Sequence, residues 1–288
     1  MSIASLPPIL QVGKKAAFYD KATDVYMDVI IKKLFNRATM AHVSPVGEPK
    51  KVIELPVSFL EKSIDSDVNE RFRYFTKLSK LVIDGSIKSL FVTGEGGIGK
   101  TYTVDELLEG EEMEEDKDYV KVSGHCTPLA LFNLIEDNFQ KVLVFDDCDS
   151  VLEDHLSGNI LKAVLDTYAR RTVKWLSSKG SRSVEFEGSV IFLSNRSIEQ
   201  TESAILSRSV VIDLYMTPEE KIERMSYIIE GLKCTPKLNL EGRMEVLNMI
   251  DKYKNTINNL NLRTLLKALI VYDSTRDMEI TRYQILNT

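Results

Sequence analysis

Five short apolar segments recur through the middle of the chain: Ser89 to Thr93, Tyr119 to Ser123, Val142 to Phe145, Val190 to Ser194 and Val210 to Leu214. Each is rich in Val, Ile, Leu or Phe, and helical stretches separate them. Uninterrupted apolar strands are what a sheet covered on both faces requires, so the alternation predicts a parallel sheet flanked by helices. Ahead of it, from Asp67, the residues Phe72, Phe75, Leu78, Leu81 and Val82 recur at helical spacing and stop at Asp84-Gly85. From Pro218 onward the pattern is wholly helical. Ile222, Met225, Ile228 and Ile229 share one face, then Leu247 and Ile250, then Leu262, Leu265, Leu266 and Leu269. Residues 1 to about 60 are mixed, with Pro7-Pro8, Pro45, Pro49 and Pro56, and an amphipathic stretch from Ala22 to Arg37 predicts one helix. The expected organisation is an extension over 1–66 of unassigned role, an α/β core over 67–216 and a helical lid over 217–288.

With 288 residues and 43% hydrophobic content the chain is globular and long enough for a sizeable core. A net charge of −6 excludes bulk attraction to polyanions, so any nucleic-acid contact must come from a local basic patch. Cys126, Cys148 and Cys234 imply no disulfide framework and are expected as reduced thiols in a cytoplasmic protein, the host cytoplasm if the source is viral. No apolar run approaches the roughly 18 residues that span a bilayer, which argues against a membrane partner. The acidic stretch Glu109 to Asp118 is expected as a solvated loop.

Candidate chemistry begins at Gly94-Glu95-Gly96-Gly97-Ile98-Gly99-Lys100-Thr101, followed by Tyr102, which matches G-x-x-x-x-G-K-[ST] between a strand and a helix. Glycines allow φ > 0 and bring N–H groups close to phosphate oxygens, and the helix that follows presents its unpaired N–H groups to the anion. In this pattern Lys100 holds the β- and γ-phosphates of ATP, and Thr101 gives an oxygen ligand to Mg²⁺. The second element is Lys141-Val142-Leu143-Val144-Phe145-Asp146-Asp147, a strand ending in two carboxylates. Asp146 is the expected second Mg²⁺ contact. Asp149 is expected at the surface, with a further polar contact as the alternative.

With these motifs the chain resembles the AAA+ ATPases, in particular a type frequent in bacteriophage genomes, over about Asp67 to Thr288. The resemblance implies a P-loop sheet sandwiched by helices, with a C-terminal helical lid and assembly into a homo-oligomeric ring, expected as a hexamer. Asp147 falls where the family usually has the glutamate that orients the attacking water, and its arm is shorter by one methylene, about 1.5 Å. Val190 to Asn195 resembles sensor 1, where Asn195 contacts the γ-phosphate or the water; the alternative is an Asn turning the chain after a strand. In Ala204-Ile205-Leu206-Ser207-Arg208-Ser209 the resemblance makes Arg208 the arginine finger acting on the neighbouring subunit's ATP, with Arg196 as runner-up. Asn261 to Leu266 resembles sensor 2, in which Arg263 reaches the γ-phosphate from the lid; otherwise Arg263 is an ordinary surface charge.

Residues 170–188 read as a hairpin about a Lys-Gly-Ser-Arg turn. In several AAA+ helicases and their relatives a hairpin at this position touches DNA, so Lys179 and Arg182 at its tip, with Arg170, Arg171 and Lys174 behind, are candidate phosphate contacts. An ordinary solvated hairpin is the competing reading. Gly124-His125-Cys126-Thr127 lies where the first pore loop is expected and lacks the aromatic-hydrophobic-glycine signature of unfoldases. The spacing of His125, Cys126, Cys148 and His155 fits no zinc pattern. The expected activity is ATP hydrolysis by a DNA-associated motor or loader in replication, recombination or repair. A protein-remodelling ATPase and a slow nucleotide-gated switch are the alternatives.

Overall fold

The computed structural model describes residues 15–20, 25–35, 40–45, 50–56, 60–61, 67–166, 170–178, 180–232, 235 and 237–287. The chain divides into two compact units, Met1–Glu70 and Arg71–Thr288.

The first unit is an antiparallel sheet of β1 (Lys15–Asp20), β2 (Val25–Phe35), β3 (Met40–Pro45), β4 (Ile53–Pro56) and β5 (Leu60–Glu61), in the order β4-β3-β2-β1-β5. The helix expected from Ala22 to Arg37 is therefore corrected to a strand over its described part. Val25, Val29, Ile30 and Ile31 are β-branched and lose χ1 freedom in a helix, while cross-strand neighbours on both sides favour the extended form. Alternation puts Val29 and Ile31 fully inside with Ala16, Ala41 and Val43. After Ile31 the register with β3 shifts, leaving Lys32 between the pairs Ile31↔Val43 and Lys33↔His42. That bulge hides the period of two that would have marked a strand.

The second unit opens with α1 (Val68–Ile83) running into it, then β6 (Ser89–Thr93), α2 (Lys100–Gly110), β7 (Tyr119–Ser123), α3 (Pro128–Asp137), β8 (Val142–Asp146), α4 (Ser150–Glu153) and α5 (His155–Val164). A hairpin of β9 (Thr172–Ser177) and β10 (Gly180–Glu185) follows, then β11 (Ser189–Ser194), α6 (Ser203–Leu206) and β12 (Val210–Asp213). The helical C-terminal region, termed the lid after the expectation above, comprises α7 (Pro218–Ile228), α8 (Leu240–Tyr253), α9 (Leu262–Thr275) and α10 (Met278–Leu286). The sheet is five-stranded and parallel, in the order β12-β6-β11-β8-β7, flanked by helices and followed by a helical C-terminal region.

Every residue of β6, β8 and β11 is buried, which accounts for their unbroken apolar character. Phe91, Phe192 and Phe145 lie in register across these strands, with ring centroids 5.5 Å and 5.2 Å apart. In α1, Phe72, Phe75 and Val82 are buried, but Leu81 is exposed. The lid has its own apolar cluster around Met225, Leu247, Ile250, Leu265 and Leu269. Among the described residues no helix is long and apolar enough to cross a membrane.

The hairpin forms, but pairing begins at Ser177↔Gly180, so Arg182, opposite Trp175, lies within β10 and not at the tip expected for it. Two expectations about its cations change. Arg171 is buried, not offered to solvent: it donates to the carbonyls of Val164 (3.1 Å) and Gly188 (2.6 Å) and lies 4.9 Å from the centre of the Phe186 ring. Arg182 pairs with Glu136 of α3 and lies 4.9 Å from the Phe132 ring centre, where Trp175 also packs. Lys179 lies outside the described residues.

Replacing Arg171 by Met leaves two buried carbonyls without donors, so Arg171→Met is expected to lower stability by roughly 2–4 kcal/mol. Thermal unfolding measures this, and an unchanged midpoint would refute the anchoring role.

Candidate phosphate-binding site

Strand order builds the site. The segments leaving β6, β8 and β11 emerge together at the carboxyl end of the sheet, where open α/β sheets bind ligands. Because β11 runs between β6 and β8, whatever follows β11 stands between whatever follows the other two. After β6 comes the glycine-rich turn, after β8 the paired carboxylates, and after β11 Asn195. Accordingly the Asn195 side chain donates from Nδ2 to Asp147 Oδ1 (2.7 Å) and accepts at Oδ1 from Lys100 Nζ (2.8 Å).

Lys100 is buried at the first position of α2. Its remaining contacts are the loop's own carbonyls, Gly94 at 2.5 Å and Glu95 at 3.0 Å, which match the three N–H donors of an ammonium group. Burial pulls its pKa below the usual lysine value, and the charges of Asp147, Asp146 and Asp149 oppose that pull. The turn keeps its shape through left-handed backbone at Gly97 (φ 77°) and Gly99 (φ 100°). A Cβ on Gly97 would approach Asn261 Cγ to 3.0 Å, so this glycine is also required by the lid packed over it. Leu262 N–H, at the start of α9, donates to Gly97 O (3.0 Å).

Thr101 Oγ1 donates to Asp146 Oδ1 (2.8 Å). A hydroxyl and a carboxylate at this separation suit a hard cation such as Mg²⁺, which keeps water and phosphate oxygens in the rest of its shell. No group of three or more His, Cys, Asp or Glu among the described residues forms a separate metal cage. Lys121 of β7 contacts Asp105 (2.7 Å) and lies 3.6 Å from Asp146 Oδ2; burial depresses its pKa, but the bond to Asp105 and the charge of Asp146 outweigh this and hold it above the usual value.

Asp147 is solvent-exposed in left-handed backbone (φ 51°), held by its N–H donating to Leu193 O (3.1 Å) and by Asn195. Such a conformation costs of order 1 kcal/mol, with Asp among the residues that tolerate it. Asp149 is half-buried and accepts from the Ser194 hydroxyl (2.7 Å), which corrects the surface placement expected for it.

Ile98 is buried, and Tyr102 is 64% exposed with its hydroxyl on Glu106. Arg263 lines a cavity of about 580 Å³ with Glu95, Gly96, Asn195, Lys221 and Lys267. Arg208 is not part of this cluster; it folds back on α6, donating to Ala204 O (2.9 Å). Arg196 donates to Glu153 (2.5 Å) and Gln200 O (2.7 Å). Tyr215, whose hydroxyl donates to Asn195 O (2.8 Å), and Lys221, paired with Glu95, join the site with no local motif to announce them.

Searched against models of protein families, the chain matches none. It is 31% identical over 238 residues to the uncharacterized 36.7 kDa protein in the nrdC-mobD intergenic region of Enterobacteria phage T4, covering 75% of this chain and 72% of that protein. Among solved structures it is similar to a point mutant of Thermotoga maritima RuvB, with a TM-score of 0.50 and 13% identity over 76% of this chain and 69% of that one. A further structure of that protein, titled a Holliday junction branch migration motor, gives a TM-score of 0.46 at 12% identity, over 75% of this chain and 69% of that one.

Gly97→Ala is expected to cost about 1–3 kcal/mol through backbone strain and the clash with Asn261. Gly110→Ala, where a Cβ meets nothing within 4 Å, is the control. Equal melting temperatures for the two variants would contradict the lid contact.

Proposed function

The chain belongs to the same family as the phage T4 protein, and from that premise and the phosphate-site geometry we propose that it binds and hydrolyses ATP with Mg²⁺ as an AAA+ ATPase. The observation that carries the reading is the Asn195 amide held between the Lys100 ammonium and the Asp147 carboxylate. In this reading Gly94 to Tyr102 form the nucleotide turn, and the amides of its glycines with Lys100 grip the β- and γ-phosphates. Thr101 and Asp146 hold Mg²⁺, which neutralises phosphate charge when bound. Asp147 accepts a hydrogen bond from the attacking water, Asn195 orients both, and Arg263 approaches the terminal phosphate from the lid.

The proposed organisation is an extension over 1–66, an AAA+ core over 67–216 and a lid over 217–288. Arg208 lies apart from its own chain's phosphate cluster, which supports a role on a neighbouring copy in a ring-shaped homo-oligomer. DNA is the proposed species acted on. The exposed side chains of Arg170 and Lys174 on the hairpin support this, whereas Arg171 does not contribute. A nucleotide-gated switch with slow turnover is the second reading, favoured by the short arm of Asp147.

Calorimetry with Mg²⁺ and ATP tests the premise: wild type binds, Lys100→Ala loses most affinity, and Asp147→Asn binds while turnover falls at least 10²-fold. Absence of ATP binding by folded wild type ends the ATPase reading, and wild-type binding with negligible turnover favours the switch. Mixing Arg208→Ala with Lys100→Ala subunits is expected to restore part of the activity, because some interfaces then pair an intact finger with an intact phosphate turn. No recovery at any ratio would exclude shared sites.

A further inference from the structure

Two charges near the phosphate turn stand where local physics disfavours them. Glu95 places a carboxylate inside the turn, beside the position of a polyanion. Lys221 places an ammonium directly after the first turn of α7, close to the positive end of that helix dipole, where Glu219 and Glu220 are the natural occupants. The Lys221 side chain is only 10% exposed. These two residues, 126 positions apart, form an ion pair with each other, and both line the cavity shared with Arg263 and Asn195.

The base of this contact is firm on the lid side. Glu220, adjacent to Lys221, accepts from Arg71 of α1 (2.7 Å) with both side chains buried, and Arg71 also donates to Tyr215 O (2.6 Å). On the other side, the main-chain carbonyl of Glu95 accepts from Lys100 Nζ (3.0 Å), so fixing Glu95 fixes one of the acceptors that aim the ammonium. The lid meets the turn again at Gly97, whose carbonyl accepts from Leu262 N–H (3.0 Å).

We infer that Lys221 is a positioning residue: through its ion pair with Glu95 the lid holds the phosphate turn, and with it Lys100, in the geometry the reaction uses. The inference rests on the ATPase reading above for its catalytic consequence, but not for its structural one. Lid and nucleotide are thereby coupled through the turn itself, in addition to any contact Arg263 makes.

Amide hydrogen exchange of the segment 89–101 in the nucleotide-free chain is the test. Lys221→Met and Glu95→Gln are each expected to speed exchange of this segment several-fold, Lys221→Arg to leave it near wild type, and the double variant to add little beyond either single change. In turnover, kcat falls roughly tenfold in Lys221→Met and is largely recovered in Lys221→Arg, since a displacement of the order of 1 Å can cost up to about 10²-fold. Exchange matching wild type in Glu95→Gln overturns the inference even where Lys221→Met fails to fold. Faster exchange with unchanged kcat in an active background overturns it equally. A wild type that binds no ATP ends the function reading alone, and the exchange result still decides the latch.

Discussion

The chemistry of the site depends on one topological constraint, the passage of β11 between β6 and β8. A parallel sheet delivers the carboxyl ends of its strands to one edge, and neighbours are roughly 4.8 Å apart. The ammonium of Lys100 and the carboxylate of Asp147 therefore approach from the two sides of β11, with Asn195 between them. An asparagine on the strand between them bridges the distance with one donor and one acceptor from a single amide. No other short side chain supplies both functions in a plane. A carboxylate there would repel Asp147, and an alkyl group would leave Lys100 and Asp147 each short of a partner.

Charge compensation explains much of the surrounding detail. Asp146 and Asp147 are adjacent in sequence, yet the left-handed backbone at Asp147 and its turn after β8 send the carboxylates to different partners. Asp146 faces Thr101 and Lys121; Asp147 faces Asn195 and, through it, Lys100. Asp149 accepts from Ser194. Buried Lys100 thus has carboxylates nearby whose field opposes part of the desolvation that lowers its pKa. Strain at Asp147 is tolerable because two hydrogen bonds fix its backbone and side chain.

Much of this was legible in sequence, and the remainder was not for identifiable reasons. The parallel sheet was readable because β6, β8 and β11 are buried on both faces and so carry no polar interruptions. The lid was readable because its apolar residues keep helical spacing from Met225 to Leu269. In β2, by contrast, Lys32 and Lys33 beside a bulge erased the period of two, and the remaining spacing imitated an amphipathic helix. Arg171 looked like one of a run of surface cations, since nothing local tells that its guanidinium serves two buried carbonyls. Lys221 and Tyr215 were invisible for a different reason. Their partners, Glu95 and Asn195, are brought near by the fold alone, and a pairing of distant residues leaves no period in a single sequence.

The joint between sheet and lid differs in kind from the interior of either. Sheet and lid each have an apolar cluster, the first around Phe145 and Phe192 and the second around Ile250 and Leu265. Across the joint run directional polar contacts: Arg71 with Glu220, Lys221 with Glu95, Leu262 N–H with Gly97 O. Apolar contact is non-directional and tolerates sliding, whereas a hydrogen-bonded ion pair is strong in one geometry and costly when half broken. A joint made this way holds one orientation sharply and exchanges it for another only by replacing partners. In the proposed ATPase, phosphate oxygens arriving beside Lys100 and Arg263 are new acceptors of that kind, so a bound nucleotide would compete for the same few bonds that join the lid to the turn.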